Sequence, residues 1–240
     1  MNVEGRNAVY EVINSDKTVD KVLVQNGLKD AESRRLLSLI KESGVKFVFT
    51  DKSVLDKTSG SGRHQGFIAQ VTDFSYSDED EIISECVRDK GVIAVLDGVE
   101  DVHNLGSIIR VCECAGVKGL IIGKRRSASV NDAVMRISEG SLNYVKIAKV
   151  GNVNDALEKI KKAGIWVYAL ELGGQNIYKT DLRGAIAVIV GGEDTGVNKL
   201  TQKKADHVIS IPMLGKINSL NASVAAGVAL FEALRQRTQS

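Results

Sequence analysis

The run Val92-Ile93-Ala94-Val95-Leu96, followed by Asp97-Gly98-Val99-Glu100-Asp101-Val102-His103-Asn104-Leu105-Gly106-Ser107-Ile108-Ile109-Arg110, decides the fold. Five consecutive apolar residues closed by a polar turn predict a short strand buried on both faces. The apolar pattern that resumes at Leu105 has helical spacing. The same alternation then repeats. Residues 120–122, 166–170, 186–190 and 208–211 are short apolar, β-branched-rich runs, and helical patterns lie near 105–115, 130–140, 153–163, 198–205 and 221–237. Buried strands alternating with helices predict an α/β domain over 91–240, built on a parallel sheet covered on both sides.

Upstream, residues 1–75 read as a separate small α/β domain. Helical patterns cover 7–14 and 31–42, strands cover 21–24, 46–50 and 67–71, and a glycine- and serine-rich basic loop spans 58–66. Between the two domains, residues 76–90 carry 2 basic and 6 acidic side chains. This stretch reads as a self-repelling acidic linker that becomes a short helix through Ile82, Ile83 and Val87.

Composition narrows the class. The chain has 240 residues, 32 basic and 30 acidic groups, and a net charge of +2. Apolar residues make up 43% and charged residues 26%, as in a folded globular protein rather than a disordered or fibrous one. Glycine is plentiful at 23, whereas Pro212 is the single proline, against roughly 12 expected from average usage. No apolar run approaches the ~18 residues of a membrane span, and the start shows no signal-peptide pattern. The three cysteines, Cys86, Cys112 and Cys114, lack the number and spacing of a disulfide framework or a zinc site. A reducing cytoplasm and no metal are the expectations. The charge is uneven: residues 1–75 carry 11 basic and 10 acidic groups, and residues 91–240 carry 19 and 14.

In open parallel sheets, ligands bind beyond the carboxyl ends of the strands, and three such ends here are rich in polar residues. In the first, Asn104 is placed to cap the following helix, and Arg110 is a cation in an apolar helix start, with Glu113 within i, i+3 reach. The second is Gly191-Gly192-Glu193-Asp194-Thr195-Gly196-Val197. It lacks the Lys and Ser/Thr of a phosphate loop, and no dinucleotide glycine fingerprint exists, so nucleotide hydrolysis and NAD chemistry are disfavoured. The third runs Ile211-Pro212-Met213 to Ser219-Leu220-Asn221-Ala222-Ser223-Val224-Ala225 and feeds a small-residue helix.

Taken together, D-x-x-x-D-x-x-N-x-G-x-I-x-R at 97–110, G-G-E-D-T-G at 191–196 and the I-P-M…S-L-N-A-S-V-A segment from 211 resemble the three motifs of the SpoU (TrmH) RNA 2′-O-ribose methyltransferases. Gly5-Arg6-Asn7 and His64-Gln65-Gly66 resemble the front domain of the branch that methylates a guanosine of large-subunit ribosomal RNA. The resemblance implies a SPOUT fold with a C-terminal trefoil knot, S-adenosyl-L-methionine bound in that knot, and a ribosomal-protein-like RNA-binding front domain. It also implies a homodimer whose active site draws on both subunits.

Carried over residue by residue, it places Asn104, Arg110, Glu193, Ser219 and Asn221 at catalytic positions. The backbone around Leu170, Gly192, Ile211 and Leu220 is placed along the cofactor. RNA contacts are expected from Arg6, Arg63 and His64 in front and from the loop Lys124-Arg125-Arg126. Three family prolines are absent, with Ala8, Val102 and Lys146 in their places. The rival readings are a tRNA or adenosine-directed rRNA methyltransferase of the same family, and a silent RNA-binding or ribosome-assembly factor.

Overall fold

The computed structural model describes residues 1–15, 17–72, 74–193, 195–216 and 219–239. They form two compact units, one of Met1–Ser75 with Ser129–Asp132, the other of Tyr76–Ala128 with Ala133–Ser240.

The first unit contains β1 (Asn2–Glu4), α1 (Arg6–Ile13), β2 (Thr18–Gln25), α2 (Ala31–Glu42), β3 (Phe47–Thr50), α3 (Lys52–Thr58) and β4 (Phe67–Thr72). Its sheet order is β1-β4-β2-β3, with only β2 and β3 parallel. Val9 and Val12 of α1 and Leu36 and Ile40 of α2 bury their apolar stripes against Val22, Val24, Phe67 and Ala69. Asp30 caps α2 by accepting from the Ser33 amide. Two elements were not visible in the sequence. β1 has three residues, and α3 buries a single side chain, Leu55. Neither is long enough to show a period.

The second unit contains α4 (Glu79–Asp89), β5 (Val92–Asp97), α5 (Val102–Cys114), β6 (Gly119–Gly123), α6 (Asp132–Ile137), β7 (Ile147–Val150), α7 (Val153–Lys162), β8 (Trp166–Asn176), β9 (Ile186–Gly191), α8 (Lys199–Lys204), β10 (His207–Ser210) and α9 (Ala222–Thr238). The six strands are parallel in the order β10-β8-β9-β5-β6-β7. Side chains alternate between faces along each strand. Ile93, Val95, Val167, Ala169, Ala187 and Ile189 pack beneath α4 and α7, and the alternate set faces α5 and α9, which pack on one another. Strand β7 went unread because its four residues include Lys149 and follow Lys146.

Of the reading of 76–90 as an acidic linker that becomes a short helix, the helix is present and the linker needs correction. Residues 79–89 are helix α4, and Ile82, Ile83 and Cys86 lie in the core of the second unit. The acidic side chains are neutralised locally instead of repelling the segment into solvent. Lys146 Nζ lies 2.6 Å from Glu81 and 2.7 Å from Glu85, and Lys159 bridges Glu79 and Asp80. The Lys146 hydrogen bond holds the Glu85 carboxyl below its ordinary range. The lysine that stands in place of a family proline therefore docks this helix.

Two registers of β8 shape the sheet's outer end. β10 pairs with Tyr168 and Ala169, then shifts to pair with Gln175 and Asn176, so residues 170–174 leave the ladder. A side chain at Gly174 would meet the backbone of Val208 at 2.6 Å, so the close return of the chain requires glycine there.

Candidate active site

The sheet reverses its direction of strand addition between β5 and β9, where crevices form beyond the strand ends. Residues 170–172 of β8, the carboxyl end of β9 and the segments after β9 and β10 line a cavity of about 430 Å³, within the range of small-molecule sites. Leu170, Val190, Ile211, Leu220, Ala222 and Ala225 give it an apolar wall, and Glu193, Thr195 and Ser219 bring polar groups to it. The four residues placed along a cofactor by resemblance, Leu170, Gly192, Ile211 and Leu220, thus line one cavity together with Glu193 and Ser219.

Glycines make this wall possible. A Cβ at Gly191 would stand 2.1 Å from the Gly196 carbonyl carbon, and one at Gly192 would stand 2.2 Å from the Gly98 oxygen. The Gly192 amide donates to Asp97 O at 3.1 Å, and the Gly196 amide donates back to Gly192 O at 3.0 Å. Two carboxylates fix the following turn. Glu171 accepts from the Val197 amide at 2.9 Å, and Asp97 Oδ2 accepts from the Asn198 amide at 3.0 Å. Glu171 was missed in the sequence. Its only signal is a position one residue past a strand end.

Three of the expected catalytic residues form a connected polar cluster. Asn104 Nδ2 donates to Glu193 Oε1 at 2.9 Å, Asn221 Nδ2 donates to Asn104 Oδ1 at 2.9 Å, and Asn221 also donates to Glu193. Asn221 caps α9 as well, its Oδ1 accepting from the Ser223 and Val224 amides. This cap fixes its Nδ2 toward the cluster. Asn104 is nearly buried. It does not cap α5 as its position suggested. Asp101 does, accepting from the His103 and Asn104 amides at 2.8 and 2.9 Å. That frees the Asn104 side chain for Glu193. Val102 occupies the first helical position, where proline is tolerated because its amide has no helical partner.

Arg110 stands apart. Six positions beyond Asn104 on α5, it projects from another side of the helix. Its side chain is 53% exposed, and it pairs with Glu139 at 3.0 Å rather than with Glu113. Within one chain, then, the structure does not bring Arg110 to Asn104, Glu193 and Asn221. Asp194, Ile217 and Asn218 of the second and third motifs lie outside the described residues.

The expected RNA-binding residues divide. Lys124, Arg125 and Arg126 are exposed beyond β6, and Arg63 is exposed in the front unit. His64 is corrected from a surface contact to a buried residue, 4% exposed, with Nε2 on Asp56 Oδ1 at 2.9 Å and Nδ1 accepting from the Gly66 amide. Arg6 is held by Asp30 and Glu32 at 3.1 and 3.0 Å. Nor is the 58–66 loop loose. Glu4 accepts from the hydroxyls of Ser59 and Ser61 and from the Gly60 amide at 2.7 Å, which lowers its pKa to about 2. Among the described residues, no group of three His, Cys, Asp or Glu side chains is placed to hold a metal ion, and no helix is long and apolar enough to cross a membrane.

The chain is similar to known proteins over both units. Residues 91–231 match the SpoU rRNA Methylase family, and residues 2–77 match the RNA 2′-O ribose methyltransferase substrate-binding family. A TrmH-family protein of Staphylococcus saprophyticus, named for tRNA/rRNA methylation, is 35% identical over 238 residues, covering 98% of this chain and 95% of its own. YacO of Bacillus subtilis, named likewise, is 33% identical over 98% of this chain and 95% of its own. Among solved structures, the SpoU methyltransferase AviRb of Streptomyces viridochromogenes in complex with AdoMet has a TM-score of 0.64 and 26% identity, covering 100% of this chain and 91% of that one. A TrmH/SpoU tRNA modifying enzyme of A. aeolicus has a TM-score of 0.57 and 30% identity over 67% of this chain and 85% of that one. With the second and third motifs lining one cavity, the first tied to it through the Asn104–Glu193 bond, and matches over both units, the chain belongs to the SpoU rRNA methylase family.

Proposed function

We propose that this methyltransferase moves a methyl group from S-adenosylmethionine to a ribose 2′-hydroxyl of RNA, with a guanosine of large-subunit ribosomal RNA as target. The observation that carries the reading is the apolar-walled cavity with Glu193, tied to Asn104 and Asn221, on its rim. The residues present fit the cofactor. The apolar wall suits an adenine and its ribose, and the backbone around Leu170, Gly192, Ile211 and Leu220 would hold them. The cofactor supplies a methyl group already activated on a sulfonium.

The chain's own residues must position the acceptor hydroxyl and stabilise its oxygen as negative charge develops. Asn104 and Asn221 hold Glu193 in one orientation at the rim. Arg110 presents a planar fork of donors that suits phosphate. We assign it the grip on a neighbouring phosphate and stabilisation of the developing alkoxide, not proton abstraction. Its exposed position away from Glu193 supports a homodimer in which a second copy completes the site. So do the half-exposed Val224 and Phe231, seven positions apart on α9.

We also read the C-terminal segment as the trefoil knot and the first unit as a ribosomal-protein-like RNA module. The placement of β8 and β10 side by side beyond β9 supports the former, and the mixed four-stranded sheet supports the latter. The test is transfer of a labelled methyl group to unmodified ribosomal RNA and to transfer RNA. Incorporation into ribosomal RNA at a guanosine ribose supports the proposal. Label confined to transfer RNA favours the tRNA reading, and label in neither favours a silent RNA-binding factor.

A further inference from the structure

We propose that the first unit carries a pocket for a single unpaired guanine nucleotide of RNA, with Asp56 reading the base. This rests on the reading of the chain as an RNA-binding enzyme, and the pocket shares no lining residue with the cavity at Glu193. A cavity of about 620 Å³ lies between the end of β2, helix α3 and the turn 62–66. Its lining combines a floor at Leu28, the amides of Gln25 and Gln65, the cations Lys52 and Arg63, and the carboxylate of Asp56.

The wall is rigidly built. Glu4 pins residues 59–61 through four hydrogen bonds, and Ser59 Oγ accepts from the Gly62 amide at 2.8 Å. Gln65 holds a left-handed backbone at φ 48° between His64 and Gly66, a conformation that concentrates at ligand sites when the surroundings enforce it. Its Oε1 accepts from the Arg6 amide at 3.0 Å, which leaves the side-chain NH₂ as the free end. A side chain at Gly66 would meet Leu28 at 2.7 Å, so nothing can come between that turn and the apolar floor.

Asp56 is the informative residue. The Gly66 amide donates to His64 Nδ1, so the ring proton sits on Nε2 and points to Asp56 Oδ1 at 2.9 Å. A buried imidazole therefore orients a carboxylate whose own side chain stays 54% exposed. An anchored negative charge is a poor choice for gripping a polyanion. It is a good choice for accepting paired donors from a base. Guanine alone places N1–H and an N2 amine side by side on its Watson–Crick edge. Adenine and cytosine put a lone pair beside their amine, and uracil flanks its N–H with two carbonyls. An ionised carboxylate has about four lone-pair sites, so the His64 bond leaves room for both guanine donors. Lys52 and Arg63, with no carboxylate within 4 Å among the described residues, are free for the phosphates on either side. Single-stranded RNA is commonly read through such splayed-out bases.

The experiment uses the full chain and fluorescein-labelled oligouridine RNA nine nucleotides long, with one central guanine, inosine or adenine, read by anisotropy. The guanine oligomer is expected to bind about tenfold tighter than the adenine one, in line with a bidentate base contact. Inosine, which lacks the N2 amine, should fall between. Asp56→Asn should erase the preference and keep the adenine affinity within about twofold. Lys52→Gln should weaken all three oligomers alike and reduce the salt slope by about one. Guanine and adenine affinities within twofold for the native chain would overturn the proposal, as would a preference that survives Asp56→Asn. The native base series needs no variant to fold. Methyl incorporation measured in parallel separates the two readings. Guanine-selective binding without incorporation sinks only the enzymatic proposal, and incorporation with base-blind binding sinks only the pocket.

Discussion

Replacing Gly192 by alanine tests whether the cavity wall depends on backbone contact. The added methyl would sit 2.2 Å from the Gly98 oxygen and 3.0 Å from its carbonyl carbon, and neither atom can rotate away. Relief needs the two strand ends to part by about 1 Å, since non-bonded carbon and oxygen need ~3.3 Å or more. That movement stretches the 3.1 Å bond from the Gly192 amide to Asp97 O beyond hydrogen-bonding range. An unsatisfied backbone pair costs about 1–3 kcal/mol, and overpacking costs about 1–3 kcal/mol. The variant should therefore lose about 2–6 kcal/mol by urea unfolding. Its affinity for S-adenosylmethionine, measured by calorimetry, should fall at least tenfold because the wall moves. Gly151→Ala is the control: a methyl there meets nothing within 4 Å. It should be neutral or stabilise by up to about 1 kcal/mol. A Gly192→Ala protein that unfolds within about 0.5 kcal/mol of the native chain, or an equally damaged Gly151→Ala protein, refutes the argument.

Other perturbations address the remaining assignments. Arg110→Ala should lower methyl incorporation at least about a hundredfold and leave cofactor affinity within a few-fold. Its melting temperature should hold, because an exposed pair such as Arg110–Glu139 is worth under about 1 kcal/mol; near-native turnover would reject its role. The Glu4 carboxyl is held at about 2, chiefly by the Ser59 and Ser61 hydroxyls. Because its folded pKa is depressed, its contribution is complete above the ordinary value of 4.5 and is lost as pH falls toward 2. Amides at 60–62 should thus exchange faster relative to the rest of the unit at pH 3 than at pH 6, and Glu4→Gln should remove that difference. Neutralising Lys124, Arg125 and Arg126 together should reduce the slope of log affinity for RNA against log salt by about two to three. An unchanged slope would show that the loop does not touch phosphate.

Periodicity carried most of the second unit. Residues 92–96 and 186–190 are uninterrupted apolar runs, and their burial on both faces leaves that signature in composition alone. The members of the Asn104–Glu193–Asn221 cluster were named through the resemblance of the three motifs to the SpoU methyltransferases; position alone offered Asn104 as a helix cap. What failed was partnership. Asp78-Glu79-Asp80-Glu81 looked like a repelling linker because Lys146 and Lys159, the residues that neutralise it, lie more than 60 positions away in sequence. Asn104 and Asp101 are both good capping types, and only the geometry of the first turn decides between them. His64 in a glycine- and serine-rich stretch reads as exposed. Its burial follows from α3 folding over the loop, and α3 is too short to announce itself. The resemblance grouped Arg110 with Asn104 in one motif, and six residues along a helix put the two on different sides.

The position of β5 sets the timing of folding. Val92 pairs with Ile186, a partner 94 positions further along the chain. At a synthesis rate of roughly 5–20 residues per second, the emerging strand waits on the order of 5–20 seconds for its neighbour to leave the ribosome. Throughout that interval a strand of five consecutive apolar residues offers an unpaired edge, the condition under which chains pair with the wrong partner. The four-stranded sheet of the first unit lies within residues 2–72 and can close before this begins. Dependence on holding chaperones should therefore fall on nascent chains arrested between residues 97 and 186, and should vanish once β9 is available to seal the central seam.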